Sequence, residues 1–468
     1  NEISLTYGMV QKGERIISKG ELVTADKYQV IESLKKEYET QLGASSKYYK
    51  ILIGQILLIC ISISVLLLFL LTYRNDVLAD NKKVFFILMN IYFMVLITST
   101  VLKIDAIYLY IVPLCIIPVI IRVFFDTRLA LFVHLVTIII IGFIVPNSFE
   151  FIFIQLITGI IAIMSVVNLR KRSQFFHTTL LIFATYSATY TGITLMQDGS
   201  LADININIYF LFACSSLLIL FSYPLIFLYE KLFGFVTSVS LMELSDINSK
   251  LLRALSTKAP ATFQHSLQVA NIAEEAVYGI NGNSLLVRVG ALYHDIGKMD
   301  MPNYFIENQR NGINPHEDYS SDESAEIIIS HVIKGIELAK KYNLPEQVID
   351  FIRTHHGTRK TLYFYTQFIK NNPDELVDES KFTYHGPIPF SKETAVLMMA
   401  DAVEAASRTL KKTDEKSINT LVEDIIDTQI AQQQFVNSDI TFRDITIIKK
   451  IIKKKLLNMF HVRIDYPA

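Results

Sequence analysis

The stretch "ALYHDIGKMD", residues 291–300, sets His294 and Asp295 side by side at the end of an apolar helical run. Six of the ten histidines in the chain lie between 265 and 356: His265, His294, His316, His331, His355 and His356. His331 interrupts "AEIIISHVIKGIELA" and Asp401 interrupts "TAVLMMADAVEAA", both otherwise apolar helical patterns. A buried, unpaired carboxylate costs several kcal/mol or more, and a cation removes that cost. The ligand set that follows is His265, His294, Asp295, His331, His355, His356 and Asp401: five imidazoles, two carboxylates and no sulfur. His316, in the loop "NGINPHEDYSS", stays outside it.

Seven ligands exceed what one tetrahedral or octahedral ion needs with a position left open. They suit two ions sharing a carboxylate, and Asp295 can bridge because it adjoins His294 and offers two oxygens. Two ions about 3.5–4 Å apart clamp an in-line displacement at phosphorus and activate a water. Asp295 and Lys298 are therefore the catalytic candidates, with Lys298 placed to hold a phosphate oxygen. Iron, manganese and zinc all accept imidazole and carboxylate. A bare His-Asp pair is weak; the ordered set, all on helical patterns, is specific.

The elements that must position these groups read as helices over 261–280, 284–296, 323–342, 345–356, 391–410, 416–432 and 441–458. Pro345 suits a helix start, and Gly297 and Gly357 read as glycines just past helix ends. Residues 360–390 read as mostly loop, and no alternating strand pattern is present in this half. The basic "IKKIIKKKLL" reads first as a solvated helix face and second as a membrane-surface contact.

The half before residue 230 is of another kind. The whole chain is 51% hydrophobic with a mean hydropathy of +0.35, which excludes an ordinary soluble protein. Seven apolar stretches approach the roughly 20 residues that a spanning helix requires: Ile51–Tyr73, Val84–Leu102, Ala106–Ile121, Leu129–Ser148, Phe151–Leu169, Thr178–Met196 and Ile204–Tyr229. Arg74, Lys82, Lys83, Arg122, Arg128, Arg170, Lys171 and Arg172 fall in the loops after the first, third and fifth; the opposite loops hold only Lys103. The positive-inside rule then puts the N-terminus outside and the C-terminal half in the cytoplasm, as an odd number of spans requires. Cys60, Cys115 and Cys214 lie within spans, so neither a disulfide framework nor a thiolate metal site is expected. His134 and His177 read as helix–helix contacts rather than a proton relay, and Pro113, Pro118 and Pro224 as kinks. Charge-free spans disfavour transport.

The expected organisation is all-α: 1–48 an extracellular juxtamembrane piece, 49–230 a seven-helix transmembrane domain, 231–256 linker helices, and 257–468 a cytoplasmic metal-dependent domain. Residues 1–48 read as a small β-like piece and a helix leading into the first span. The formal net charge of −1 averages two unlike halves and decides nothing. No nucleic-acid polymer is expected as a partner, and the lipid bilayer is. Oligomeric state is left open, a homodimer included.

The segments "LSDINSKLLRALSTKAPATFQHSLQVANIAEEA", "RVGALYHDIGKM", "HVIKGIELAKKYNLP", "THHGTRKTLYFY", "PFSKETAVLMMADAVEAASRTL" and "HVRIDYP" resemble the seven-transmembrane-receptor HD family, cyclic di-AMP phosphodiesterases of the PgpH type. The resemblance runs over essentially the whole chain. It implies an integral protein of the bacterial cell membrane that hydrolyses cyclic di-AMP to linear pApA at a di-iron or di-manganese centre. It implies one ion on His265, His294, Asp295 and Asp401 and the other on Asp295, His331, His355 and His356. It also implies a larger external domain, of which residues 1–48 look like the end, with an unknown external ligand. Thr358, Arg359 and Arg408, with Lys298, are the substrate-side candidates. The rival HD-GYP family, which cleaves cyclic di-GMP, follows its paired histidines with Glu and carries Gly-Tyr-Pro; here Gly357-Thr358-Arg359 follows and Gly-Tyr-Pro is absent. A nucleotide-binding receptor with little catalysis is the alternative from another class.

Overall fold

In a computed structural model the described residues are 15–18, 20–43, 45–167, 174–200, 204–309, 314–373, 376–410, 412 and 414–460. Among them the regular elements are all helices, with one isolated antiparallel bridge between Lys360 and Thr383. The chain divides into two compact units, Asn1–Ser165 with His177–Leu220, and Phe221–Ala468 with Val166–Phe176. The longer stretch of the second unit starts at the last residue of the 3-10 turn Ile219–Phe221.

In the first unit, five helical stretches among the described residues are long and apolar enough to cross a membrane. They are Tyr49–Tyr73, Asn81–Leu102, Ala106–Phe124, Ser148–Ser165 and Ile206–Phe233, the last running on into the second unit. The other two of the seven expected stretches are helical but fall short of that standard. Thr127–Gly142 has 16 residues; the chain turns at Pro146 and a new helix starts at Ser148, so the span drawn to Ser148 was too long. Gln174–Asp198 has length, but its Thr, Ser and Tyr content dilutes its hydropathy. Pro113 stands where the 3-10 helix Ala106–Ile111 gives way to the α-helix Ile116–Phe124, a break that its ring and missing N–H explain. His134 Nε2 donates to the Gln155 carbonyl at 2.9 Å, a helix–helix bond as expected. The β-like piece is a correction as far as it can be seen: residues 15–18 and 20–24 form no strand, and residues 1–14 lie outside the described set.

The second unit opens with the rest of the last apolar helix, to Phe233. Gly234 closes it at φ +72°, a left-handed backbone that glycine adopts without strain. Glu230 then accepts hydrogen bonds from Thr237 N and Oγ1 and from Ser240 Oγ, holding the start of the short helix Ser238–Leu244. Leu244 accepts from the hydroxyl of Tyr293 at 3.0 Å, so the linker is tied to the residue before His294.

The core that follows is built from helices Pro260–Gly279, Ser284–Tyr293, Ser321–Lys341, Glu346–Thr354, Lys392–Ser407, Glu415–Ala431 and Phe442–Phe460. These agree with the sequence reading to within a few residues. Helix Ser321–Lys341 begins with a reciprocal capping box between Ser320 and Glu323. Helix Phe442–Phe460 buries Ile445, Ile448, Ile452 and Leu456, while Lys449 and Lys453 pair with Glu423, and Lys455 with Glu275. The basic run is therefore a solvated, ion-paired face.

Two corrections concern the region around the site. Residues 360–390 hold helix that was not expected within the loop: Leu362–Asn371 is an α-helix and Glu379–Phe382 a 3-10 turn. The helix was hidden by its aromatic residues, whose intrinsic helix preference is low. Gly297 is not a C-cap. It lies within the 3-10 turn Ile296–Met299 and outside the left-handed region, and a Cβ there would meet the His331 carbonyl oxygen at 1.9 Å and Gly335 N at 2.6 Å. Its absent side chain lets the turn press against helix Ser321–Lys341. Gly357, at φ +54° after helix Glu346–Thr354, matches its expected role.

Candidate metal centre

All seven expected ligands converge. His265 comes from Pro260–Gly279, His294 and Asp295 from the end of Ser284–Tyr293, and His331 from Ser321–Lys341. His355 and His356 follow Glu346–Thr354, and Asp401 lies on Lys392–Ser407. Three overlapping groups have ligand atoms within 4.8 Å of one another: His265, His294 and Asp401; His294, Asp295 and His355; His331, His355 and His356. His316 is elsewhere, on a 3-10 turn, with Nε2 on the Tyr304 carbonyl and its ring against Phe364.

The backbone decides how these imidazoles face. His294 Nδ1 donates to Ala291 O at 2.7 Å, His331 Nδ1 to Ile328 O at 2.5 Å, and His355 Nδ1 to Ile352 O at 2.8 Å. A carbonyl oxygen only accepts, so each Nδ1 carries a proton, and each ring in its neutral form turns an Nε2 lone pair inward. His331 Nε2 and His355 Nε2 then face each other at 3.2 Å, with Asp295 Oδ1 at 3.4 and 3.6 Å from them. Converging lone pairs and a carboxylate repel unless positive charge sits among them. Backbone-held Nδ1–H groups are the usual orientation of histidines that bind metal through Nε2.

Two further atoms point the same way. His294 Nε2 and Asp295 Oδ1 are buried and make no hydrogen bond among the described residues. Buried polar atoms are seldom left so. Imidazole nitrogens, carboxylates and two orphaned acceptors fit divalent transition-metal ions.

The electrostatics agree. Burial pushes His331 down to about 3, the pull of Asp295 offsetting only part, so this ring is neutral at ordinary pH. Burial likewise holds His356 well below the usual imidazole range. Burial also disfavours the charged form of His294, yet Asp295 and Asp401 outweigh it and raise that ring to about 10. Asp295 and Asp401 lie well below the carboxylate range: burial would raise them, but His294 and Lys298 act on the first, and His265 and His294 on the second. The pair of carboxylates thus attracts positive charge strongly, and protons and metal ions compete for such a place.

Around the ligands lie residues that the sequence reading missed. Glu404 Oε2 accepts from His265 Nδ1 at 2.5 Å, while His265 Nε2 lies 2.9 Å from Asp401 Oδ1. Glu404 is buried one turn beyond Asp401, and that i, i+3 spacing of two acids on an apolar helix was the available signal. Tyr384 stacks on His356 with centroids 4.1 Å apart. Glu307 accepts from Thr262 Oγ1 at 3.0 Å and from Lys298 at 2.9 Å.

The remaining candidates are placed unequally. Lys298 Nζ is 2.8 Å from Asp295 Oδ2 and also bonds Glu307, so it borders the central carboxylate. Burial disfavours its charge, but Asp295 and Glu307 raise it above the usual lysine range. Arg359 lies close enough to Asp401 and Tyr384 to feel both; burial lowers it. Thr358 is held by Gln434, which accepts from its backbone N–H at 3.1 Å and donates to its hydroxyl at 3.0 Å. Arg408 is bonded to Glu404 at 2.6 and 2.9 Å, so it supports the partner of His265.

Residues 49–237 match the family model described as 7TM receptor with intracellular HD hydrolase, and residues 262–406 match the HD domain model. The chain is similar to the cyclic-di-AMP phosphodiesterase PgpH of Bacillus subtilis (strain 168), 30% identical over 98% of this chain and 65% of that protein. It is also similar to the protein of the same name from Listeria monocytogenes serotype 1/2a (strain 10403S), 42% identical over 51% of this chain and 33% of that protein. The chain thus spans under two thirds of the length of both curated relatives. The solved HD domain of L. monocytogenes phosphodiesterase PgpH in complex with cyclic-di-AMP is 42% identical, covering 46% of this chain and 99% of that one, with a TM-score of 0.44.

Proposed function

We propose, from the match of residues 49–237 to the 7TM receptor with intracellular HD hydrolase and of residues 262–406 to the HD domain, that the chain is a membrane-bound phosphodiesterase converting cyclic di-AMP to linear pApA. The observation that carries the reading is the inward convergence of the His294, His331 and His355 Nε2 atoms on Asp295, enforced by their own backbone carbonyls. His265, His294, Asp295 and Asp401 would hold one divalent ion, and Asp295, His331, His355 and His356 the other, manganese or iron. When bound, such a pair supplies Lewis-acid charge for the phosphoryl oxygens and lowers the pKa of water.

The chain's own residues do the rest. Glu404, braced by Arg408, keeps His265 Nδ1 protonated and its Nε2 turned towards Asp401. Lys298, charged between Asp295 and Glu307, offsets the negative charge of the carboxylates beside which an anionic substrate must lie. Thr358 and Arg359, two and three residues after His356, would offer a hydroxyl and a guanidinium for phosphate and base. Adenine as the base is supported by the names of the relatives alone.

The membrane arrangement proposed with this activity has seven spans, the N-terminus outside and residues 257–468 in the cytoplasm, so that hydrolysis lowers a cytoplasmic second messenger. The Arg and Lys residues between apolar stretches support it. Domain limits at 48, 230 and 256 belong to the same proposal. The test is a product assay: the full chain in detergent with Mn²⁺ or Fe²⁺, given cyclic di-AMP, cyclic di-GMP and linear pApA in turn. Conversion of the first to pApA, faster than of the second, is expected. Binding of cyclic di-AMP that leaves it intact over hours would replace the enzyme by a sensor.

A further inference from the structure

The first unit has a pocket of its own, about 410 Å³, that the hydrolytic reading does not use. It is lined by Tyr110, Asn147, Glu150, Tyr190, Thr194 and Asn205 among others. These come from the 3-10 helix Ala106–Ile111, from the residues at and just before the starts of Ser148–Ser165 and Ile206–Leu218, and from the C-terminal turns of Gln174–Asp198. All of these ends lie at one side of the helical unit, opposite the loops that carry Arg74, Lys82, Lys83, Arg122 and Arg128.

The chemistry of the pocket is selective. Its only ionisable acid or base apart from tyrosine is Glu150, whose Oε1 accepts from the Tyr110 hydroxyl at 2.6 Å. The other carboxylate oxygen makes no hydrogen bond among the described residues. Tyr110, which donates to this carboxylate, belongs to an aromatic cluster: its ring centroid lies 6.4 Å from that of Tyr190, and Phe212 lies 5.4 and 5.8 Å from the two. Asp105 and Glu150 are acidic residues at helix starts on the same side of the unit. A glutamate in a first helical turn is favoured by the helix dipole without any ligand. That does not account for a pocket formed around it or for the tyrosine rings beside it.

A carboxylate in a pocket lined by tyrosines suits a positively charged amine. The carboxylate balances the charge and the ring faces attract the cation within about 6 Å of a centroid. The volume is in the range of small-molecule sites, about 300–1,000 Å³. We infer that this pocket binds a small organic cation through its ammonium group, with Glu150 as counter-ion and Tyr110 and Tyr190 as the aromatic walls. Asn147, Thr194 and Asn205 offer hydrogen-bonding groups for the remainder of the molecule.

The experiment is calorimetry on the full chain in detergent, a readout independent of any hydrolysis. The probes are tetramethylammonium, choline and spermidine chlorides, with 3,3-dimethylbutan-1-ol as the uncharged counterpart of choline. At least one cation should bind saturably and the alcohol should not. Glu150→Gln, which keeps an acceptor for Tyr110, should weaken binding by about 10-fold or more with the thermal midpoint unchanged, as loss of a close charge pair implies. Tyr190→Leu, which leaves the carboxylate in place, should weaken it several-fold and serves if the glutamine variant does not fold. No saturable binding of any of the three cations, equal binding of the alcohol, or affinity unchanged in both variants overturns the inference.

Discussion

Replacing Gly297 by alanine tests how the centre is held together. The added Cβ would lie 1.9 Å from the His331 carbonyl oxygen and 2.6 Å from Gly335 N, both backbone atoms that no rotamer change can move. The carbonyl must retreat by about 1.1 Å to reach 3.0 Å, the closest approach that real Cβ atoms tolerate. That shift separates the turn carrying Asp295 from the helix carrying His331, whose Asp295 Oδ1 to His331 Nε2 distance is 3.4 Å. Overpacking of this kind costs about 1–3 kcal/mol. The thermal midpoint should therefore fall by about 2–4 °C for each kcal/mol in a domain of this size. A displacement near 1 Å at a reacting centre costs about 10²-fold in rate. The assay pairs metal content per chain with turnover and thermal unfolding. Gly279→Ala is the control, because its Cβ would meet chiefly the far end of a side chain, Ile451 Cδ1, and should leave turnover within a few-fold of wild type. Normal metal content and normal turnover in Gly297→Ala would refute the claim that this contact sets the distance between the two ligand groups.

Glu404→Gln removes the charged partner of His265 Nδ1 and should weaken metal binding by about 10–100-fold, read by competition with a chelating dye. Ser320→Ala removes half of the capping box on the helix bearing His331 and should lower stability by about 1 kcal/mol in denaturant titration, with metal content retained. Glu307 titrates below its usual 4.5 in the fold: burial would raise it, but Lys298 outweighs burial. The unfolded chain therefore takes up this proton at higher pH than the folded one. The contribution to stability is complete above about pH 4.5 and is lost as pH falls through the folded value. Glu307→Gln should flatten that acid limb, and an unchanged slope would count against the Lys298–Glu307 pair.

Much of the centre was legible because its chemistry breaks the pattern of its surroundings. Histidine and aspartate on apolar helical faces are conspicuous, and so all seven residues that the fold brings together could be named from type and spacing. Glu404 was not, because a glutamate near a helix end reads as solvated until the fold shows it buried against His265. Gly297 was misread for a similar reason: sequence shows a glycine after a helix but not the second helix that needs its missing Cβ. The reach of Lys298 to both Asp295 and Glu307 depends on chain separated by a turn that periodicity does not describe. In the first unit, hydropathy located the apolar stretches, but the shortness of Thr127–Gly142 follows from the turn around Pro146, and sequence averaging ran across it. The helix Leu362–Asn371 stayed hidden because its aromatic residues pack locally, Tyr365 and Phe368 against Phe382, rather than following a long amphipathic period.

The most direct test of the account is to strip the full chain of metal with a chelator and titrate Mn²⁺ back while following cyclic di-AMP by mass. The account predicts no turnover without metal and formation of pApA that reaches its plateau near two ions per chain. It also predicts that Asp295→Ala, which removes the carboxylate shared by both groups, retains neither turnover nor the two-ion stoichiometry. Cleavage by the metal-free chain, or a plateau at one ion with full activity, would contradict it.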